Sequence, residues 1–205
     1  MHALVVVAHP NTGSFTHAVA NHIGKGIEDA GSDHSFELAD LTAEGFDPRF
    51  SLGDVAGFDL VTPYPDDVIA EQQRIDRADT LVLVFPIYWW SMPAIMKGWI
   101  DRVFTNGWAH EDIDGEKVIK KLTHLKVHLV AIGGAGLGTF ARHGYFGAMK
   151  LQINQGIFDY CGVEVASSEL MLLADGNDPV AHLKTAHDLG ATIPAKVVQS
   201  DLDMA

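Results

Sequence analysis

ADTLVLVFPIYWWSMPAIMKGWIDRVFT, residues 78–105, joins a strand, an aromatic turn and a helix in one stretch. Leu81, Val82, Leu83, Val84 and Phe85 form an unbroken apolar run that is too short for a helix. Such a run suits a strand buried on both faces of a parallel sheet. Pro86 ends the ladder because it has no N–H to give. Tyr88, Trp89 and Trp90 follow, with no alternation that would tuck them beneath a sheet. Pro93 opens a helix at its first turn, where a missing N–H costs nothing. Ile95, Trp99 and Val103 then recur at fourfold spacing beside Ile100 and Phe104. Ligands of open α/β sheets bind just beyond the carboxyl ends of the strands, so three adjacent aromatics at that place form a wall for a flat ring.

Working outward, residues 3–8 are another buried apolar run and the first strand. His9-Pro10-Asn11-Thr12-Gly13-Ser14-Phe15-Thr16 follows directly. Small and hydroxylated residues between a strand and a helix that begins at Ser14 gather free N–H groups at the positive end of a helix dipole. That is an anion seat, best suited to a phosphate. The Ser14 and Thr16 hydroxyls either cap the helix or donate to phosphate oxygens. The loop has neither GxxxxGK[ST] nor GxGxxG, the two common nucleotide patterns. The first helix buries Phe15, Val19, Ile23 and Ile27 on one side and stops near Gly31.

Residues 35–39 make a short second strand, and residues 42–67 show no period and read as an irregular excursion. A helix over 66–78 packs Val68, Ile69 and Ile75. Beyond the aromatic stretch, residues 107–123 are a polar loop with Trp108, His110, Glu111, Asp112 and Asp114, read as a solvated turn rather than a metal site. A fourth strand spans 125–132, and glycines at 133, 134, 136 and 138 let the backbone approach a ligand closely. A helix over 147–160 buries Met149, Ile153, Ile157 and Phe158, and Gly162 ends it. A fifth strand lies within 163–172, and an amphipathic helix over 179–198 carries His182 and His187 at the surface.

Strands alternating with helices predict one doubly wound α/β domain over residues 1–205, with a parallel five-stranded sheet in the order 2-1-3-4-5. Three loops, 9–16, 86–90 and 133–138, then meet at its carboxyl edge and describe a pocket for a mononucleotide with a flat ring, flavin being the obvious candidate. A formal charge of −13 over 205 residues argues against nucleic acid and anionic membrane as partners. The single cysteine, Cys161, excludes an internal disulfide and lies in an apolar segment where it packs as a small hydrophobe. The start, MHALVVVAHP, has no basic leader region and is too short to span a bilayer, so a cytoplasmic protein is expected.

Four segments together carry a resemblance: AHPNTGSFT at 8–16, FPIYWWSMPAIMKGWIDRVF at 85–104, Gly133-Gly134, and QGIFDYCG at 155–162. In this order the chain resembles the NAD(P)H:quinone oxidoreductase family with the flavodoxin-like fold, a group that also includes flavoprotein ancillary subunits of bacterial potassium efflux systems. The resemblance implies a tightly bound FMN or FAD and a homodimer with its sites at the interface. By position, His9, Ser14, Phe15 and Thr16 match phosphate and ribityl contacts. Pro86, Ile87, Trp89 and Trp90, with Tyr88 among them, match the segment along the isoalloxazine ring. Gly133 and Gly134 match the backbone near its pyrimidine edge. The family's Tyr and His after the glycine loop fall on Phe140 and Phe146 here, leaving Arg142, His143 and Tyr145 as nearby substitutes.

The implied reaction is ping-pong: NAD(P)H gives hydride to the flavin, and a quinone or similar flat acceptor then takes two electrons from the same slot. Trp89, Trp90 and Phe140 would line that slot, with Trp108 or His110 reaching across from a second subunit, and Arg142 or His143 serving the reduced acceptor. Residues 42–67 show no seat for an adenosine half, which favours FMN, whereas FAD-using relatives point the other way. Two rivals remain at this level: a regulatory subunit on a potassium efflux transporter and a one-electron carrier of the flavodoxin type.

Overall fold

The computed structural model describes residues 1–112, 117–174 and 178–203, with side chains as far as residue 195. In chain order its elements begin with β1 (His2–Val7), α1 (Phe15–Asp29), β2 (Ser35–Asp40), α2 (Leu52–Phe58), α3 (Asp66–Asp76), β3 (Thr80–Pro86) and α4 (Ala94–Val103). They continue with a small hairpin of β4 (His110–Glu111) and β5 (Ile119–Lys120), then β6 (Lys126–Gly133), α5 (Leu137–His143), α6 (Tyr145–Met149), β7 (Glu164–Leu172) and α7 (Pro179–Asp203). The main sheet runs β2-β1-β3-β6-β7 with every pair parallel, which is the expected order 2-1-3-4-5 with the hairpin strands set aside. Among the described residues no helix is long and apolar enough to cross a membrane.

The apolar runs split cleanly by the twofold period of a strand. Val5, Val7, Val82, Val84 and Val130 face one side, where Val19, Ile23 and Ile27 of α1 and Ala186, Leu189 and Ile193 of α7 cover them. Leu4, Val6, Leu81, Leu83, Phe85 and Leu129 face the other, against Met96, Trp99 and Phe158. On the first side α1 and α7 touch backbone to backbone. A Cβ at Gly26 would sit 2.1 Å from the His187 carbonyl, and one at Gly190 would sit 2.1 Å from that of Ile23.

Two expectations need correction. Residues 42–67 are not irregular throughout: α2 stands within them, started by a reciprocal capping box between Ser51 and Asp54. Asp54 is wholly buried and accepts from Arg102 Nε at 3.1 Å, while Arg102 Nη1 donates to Asp67 at 2.6 Å and to the Asp47 carbonyl at 2.8 Å. One guanidinium of α4 thus ties down the excursion, a partner that no local pattern in 42–67 announces. The helix expected over 147–160 starts as α6 and continues through Lys150–Asp159 in wide π-type turns. Ile153 and Phe158, five residues apart, are its buried pair, whereas Met149 and Ile157 are only partly buried. Five-residue spacing on one face is what the wide turn provides.

Cys161 is buried, and burial pushes its thiol up to about 11, as suits a packed hydrophobe. Asp54→Ala removes both the helix cap and half of a buried ion pair. It is expected to lower the unfolding free energy by about 3–5 kcal/mol, whereas Arg49→Ala, breaking the exposed and solvent-screened pair with Asp47, should leave the unfolding midpoint essentially unchanged. Urea unfolding of the two variants measures the contrast.

Candidate active site

Strand register decides which loops meet. Val7 is paired with Val84, and Pro86 with Ile132, so β1, β3 and β6 end side by side. Pro86 is the last residue of its ladder, and Ile87 N–H still reaches the Ile132 carbonyl at 2.8 Å. Adjacent strands lie about 4.8 Å apart. The segments after them, 9–16, 87–90 and 133–138, are therefore neighbours at the carboxyl edge.

The first segment is a tightly tied turn. His9 Nδ1 sits over the turn, 3.0 Å from the Asn11 N–H and 3.2 Å from the Asn11 carbonyl. Asn11 Oδ1 accepts the Gly13 N–H at 2.9 Å, and Ser14 N–H bonds the Asn11 carbonyl at 3.0 Å. Ser14 is the N-cap of α1, its Oγ accepting the His17 N–H at 3.3 Å. The N–H groups of Phe15 and Thr16, first in the helix, have no acceptor within it and face the turn. The sequence reading missed what stands behind Ser14. His17 Nδ1 lies 2.9 Å from Ser14 Oγ, and His17 Nε2–H donates to Asp40 Oδ2 at 2.8 Å. A histidine on an otherwise apolar helix face gave no local signal of that chain.

In the second segment Tyr88 and Ser91 exchange backbone bonds, N–H to carbonyl, at 3.0 and 3.1 Å. Trp89 and Trp90 between them have φ of 49° and 61°. Positive φ at both central residues defines a type I′ turn, which ordinarily takes Asn-Gly. Two bulky residues in left-handed geometry cost about 1–3 kcal/mol each, and strain of that kind clusters at ligand sites. The outcome is a display of rings. Trp89 is 94% exposed, and Trp90 lies flat on Tyr145 with ring centroids 3.6 Å apart at 13°. Phe140, fully buried, meets Trp90 edge-on at 5.3 Å.

The third segment closes the space. A cleft of about 270 Å³ is bounded by Ile87, Trp89, Trp90, the backbone of 133–135 and Phe140. This is near the lower limit of ligand pockets, about 300 Å³, and the cleft is open to solvent. Gly133 is packed, since a Cβ there would come within 2.7 Å of Leu172 Cδ2, whereas a Cβ at Gly134 would meet nothing within 4 Å. Gly134 therefore leaves its peptide edge open to a ligand.

The remaining expected site residues divide. Tyr145 joins the aromatic cluster, and His143 sits beside it with ring centroids 5.3 Å apart. Arg142 and His143 are exposed on the helix that follows the glycine loop and do not line the cleft. Phe146 packs against Phe140 at 5.2 Å. Trp108 and His110 lie at the opposite, amino edge of the sheet. There Trp108 Nε1 donates to Asp76 at 3.1 Å, and His110 meets the Tyr160 ring at 5.2 Å. Burial holds the His110 imidazole below its usual range. Asp114 falls outside the described residues. His182 donates to the Leu172 carbonyl and His187 bonds Asp29, so both are tied to the fold.

A family model described as flavodoxin-like fold matches residues 1–189. An uncharacterized NAD(P)H oxidoreductase of Haemophilus influenzae is 31% identical over 173 residues, 83% of each chain. NAD(P)H dehydrogenase [quinone] 1 of Rattus norvegicus is 28% identical over 204 residues, covering 89% of this chain and 72% of that one. Among solved structures, an NAD(P)H:quinone oxidoreductase from Methanothermobacter marburgensis superposes with a TM-score of 0.83 at 26% identity, covering 94% of this chain and 98% of that one.

Since Trp89 contacts little and sits in a left-handed conformation that asparagine tolerates, Trp89→Asn is expected to stabilise the ligand-free protein by about 1 kcal/mol. A urea midpoint that fails to rise would show that the turn holds no strain.

Proposed function

The chain belongs to the flavodoxin-like NAD(P)H:quinone oxidoreductase family, and from that premise we propose that it is a flavin-dependent enzyme passing two electrons from NAD(P)H to a quinone or similar flat acceptor. The observation that carries this reading is the convergence at one sheet edge of a helix start, a strained indole turn and an open glycine backbone. Each suits one part of a flavin. The Phe15 and Thr16 N–H groups, with the His9 ring beside them, would hold the phosphate, helped by the dipole of α1. Ile87, Trp89 and Trp90 would border the ring, and the backbone at Gly133 and Gly134 would meet its polar edge. FMN is the favoured form, because α2 and its buried ion pair occupy the excursion of residues 42–67, which shows no seat for an adenosine half.

Bound there, the flavin supplies two-electron acceptance from one substrate and delivery to the next. The chain's own residues shape what surrounds that chemistry. Tyr145 stacked below and Phe140 edge-on hold the Trp90 ring still, giving a rigid wall. Trp89, projecting into solvent, offers a second indole against which a flat nicotinamide or quinone can lie. Backbone N–H groups beside the ring would stabilise negative charge developing at its polar edge. With phenylalanines at 140 and 146, and with Arg142 and His143 outside the cleft, the hydroxyl of Tyr145, stacked on Trp90, is the proton-bearing group of the aromatic cluster. A homodimer with its sites at the subunit boundary and a cytoplasmic location belong to the same reading.

The decisive experiment is anaerobic. The purified protein should carry or take up flavin, bleach on addition of NADPH or NADH, and recover its colour on addition of a quinone. A protein that binds no flavin, or whose flavin neither nicotinamide reduces, would overturn the proposal. Gly134→Val serves as its structural control. Nothing in the protein crowds a side chain there, so stability should change by less than about 0.5 kcal/mol while flavin affinity falls at least about tenfold.

A further inference from the structure

Ser14, His17 and Asp40 form a chain whose proton positions can be worked out from valence. Asp40 Oδ1 accepts the N–H groups of Thr42 at 3.2 Å and Ala43 at 3.1 Å, and its Oδ2 accepts His17 Nε2–H at 2.8 Å. The carboxylate therefore keeps a proton on Nε2. In neutral His17 the lone pair then lies on Nδ1, so across the 2.9 Å contact the Ser14 hydroxyl must be the donor. A hydroxyl has one proton and two acceptor positions. Its proton goes to His17 Nδ1, and one acceptor position is filled by the His17 N–H at 3.3 Å. In this state Ser14 has nothing to donate to an anion at the start of α1.

A second proton on His17 reverses that. Nδ1–H then donates to Ser14 Oγ, both acceptor positions are filled, and the hydroxyl proton is released toward the anion seat. We propose that His17 is a proton-linked positioning residue. Seating a flavin phosphate draws one proton from solvent onto His17, and this turns the Ser14 hydroxyl into a phosphate donor. The proposal rests on the flavin reading above and adds how its phosphate seat is armed.

The surroundings favour the coupling. The His17 and Asp40 side chains are only 5% and 14% exposed, so the imidazolium would be paired in a poorly solvated place. His9, from the loop after β1, faces the His17 ring edge-on at 6.3 Å. Behind Asp40, Glu44 accepts the Asp40 N–H at 3.2 Å, and Arg74 of α3 bonds Glu44 at 2.7 Å. A phosphate dianion seated at the start of α1 would bring negative charge to the end of the helix on which the His17 ring bonds Ser14.

The test compares two probes that differ only in the phosphate. Near pH 7.5 the phosphate of FMN is already dianionic, its second pKa being about 6, so proton uptake on binding reports the protein rather than the ligand. With ¹⁵N-labelled histidine, His17 should show two protonated ring nitrogens in the FMN-loaded protein and one in the riboflavin-loaded protein, His17→Gln identifying its signals. Calorimetry in buffers of different ionisation heat should give uptake of about one proton with FMN and none with riboflavin. Ser14→Ala and Asp40→Asn should each abolish the uptake, and Ser14→Ala should weaken FMN roughly tenfold or more while sparing riboflavin. Should a variant not fold, the two spectra of the unaltered protein still decide. The same His17 protonation with both flavins, and no proton uptake, would overturn the inference alone. Failure to bind either flavin would instead sink the functional reading on which it stands.

Discussion

The parallel hydrogen-bonded register of β1, β3 and β6 is the constraint on which the rest depends. Those strands pair residue for residue from their amino ends, so their carboxyl ends stop together and three separate turns are delivered to one edge. Slipping any strand by one position would exchange its core face for the other and destroy the Val-against-Leu division of the two layers. Packing of the core and assembly of the cleft are thus enforced by the same bonds.

Around that frame the polar groups are divided between holding and acting. Arg102 and Asp54 satisfy one another deep beneath α2 and secure the long excursion between β2 and α3. His17 and Asp40 make a comparable pair at the carboxyl edge, but theirs ends on Ser14, the cap of α1. The indole turn is the opposite kind of feature. There the backbone accepts a costly conformation at Trp89 and Trp90, and the neighbouring Tyr145 and Phe140 keep it in place. A stable surround carrying a locally unfavourable turn is what a preformed binding site requires.

Much of the architecture was legible because its signals are local. Residues 81–85 read as a buried strand and Ser14 as a helix start, and the structure has both; of the doublet at 133–134 only Gly134 is open, Gly133 being packed against Leu172. The misses have a common cause. The α2 helix is secured by a guanidinium 48 residues away, and the wide turns after α6 follow from fitting Ile153 and Phe158 to a sheet face. The short helix α5 directly behind the glycine loop was unexpected too, since four glycines in six residues argue against a helix until tertiary packing overrides propensity.

Taken alone, the amino-acid sequence determined the strand and helix alternation, the sheet order and the three turns that meet at the carboxyl edge of the sheet. Apolar period, proline and glycine act over a few residues and are written in the chain itself. Which side chains touch across those turns was decided only by the tertiary structure. Tyr145 beneath Trp90, and Asp40 behind His17 and Ser14, are partners separated by 55 and 23 positions along the chain and joined through strand register and helix packing. Contacts between distant residues depend on how whole elements pack, and no short stretch of sequence encodes that.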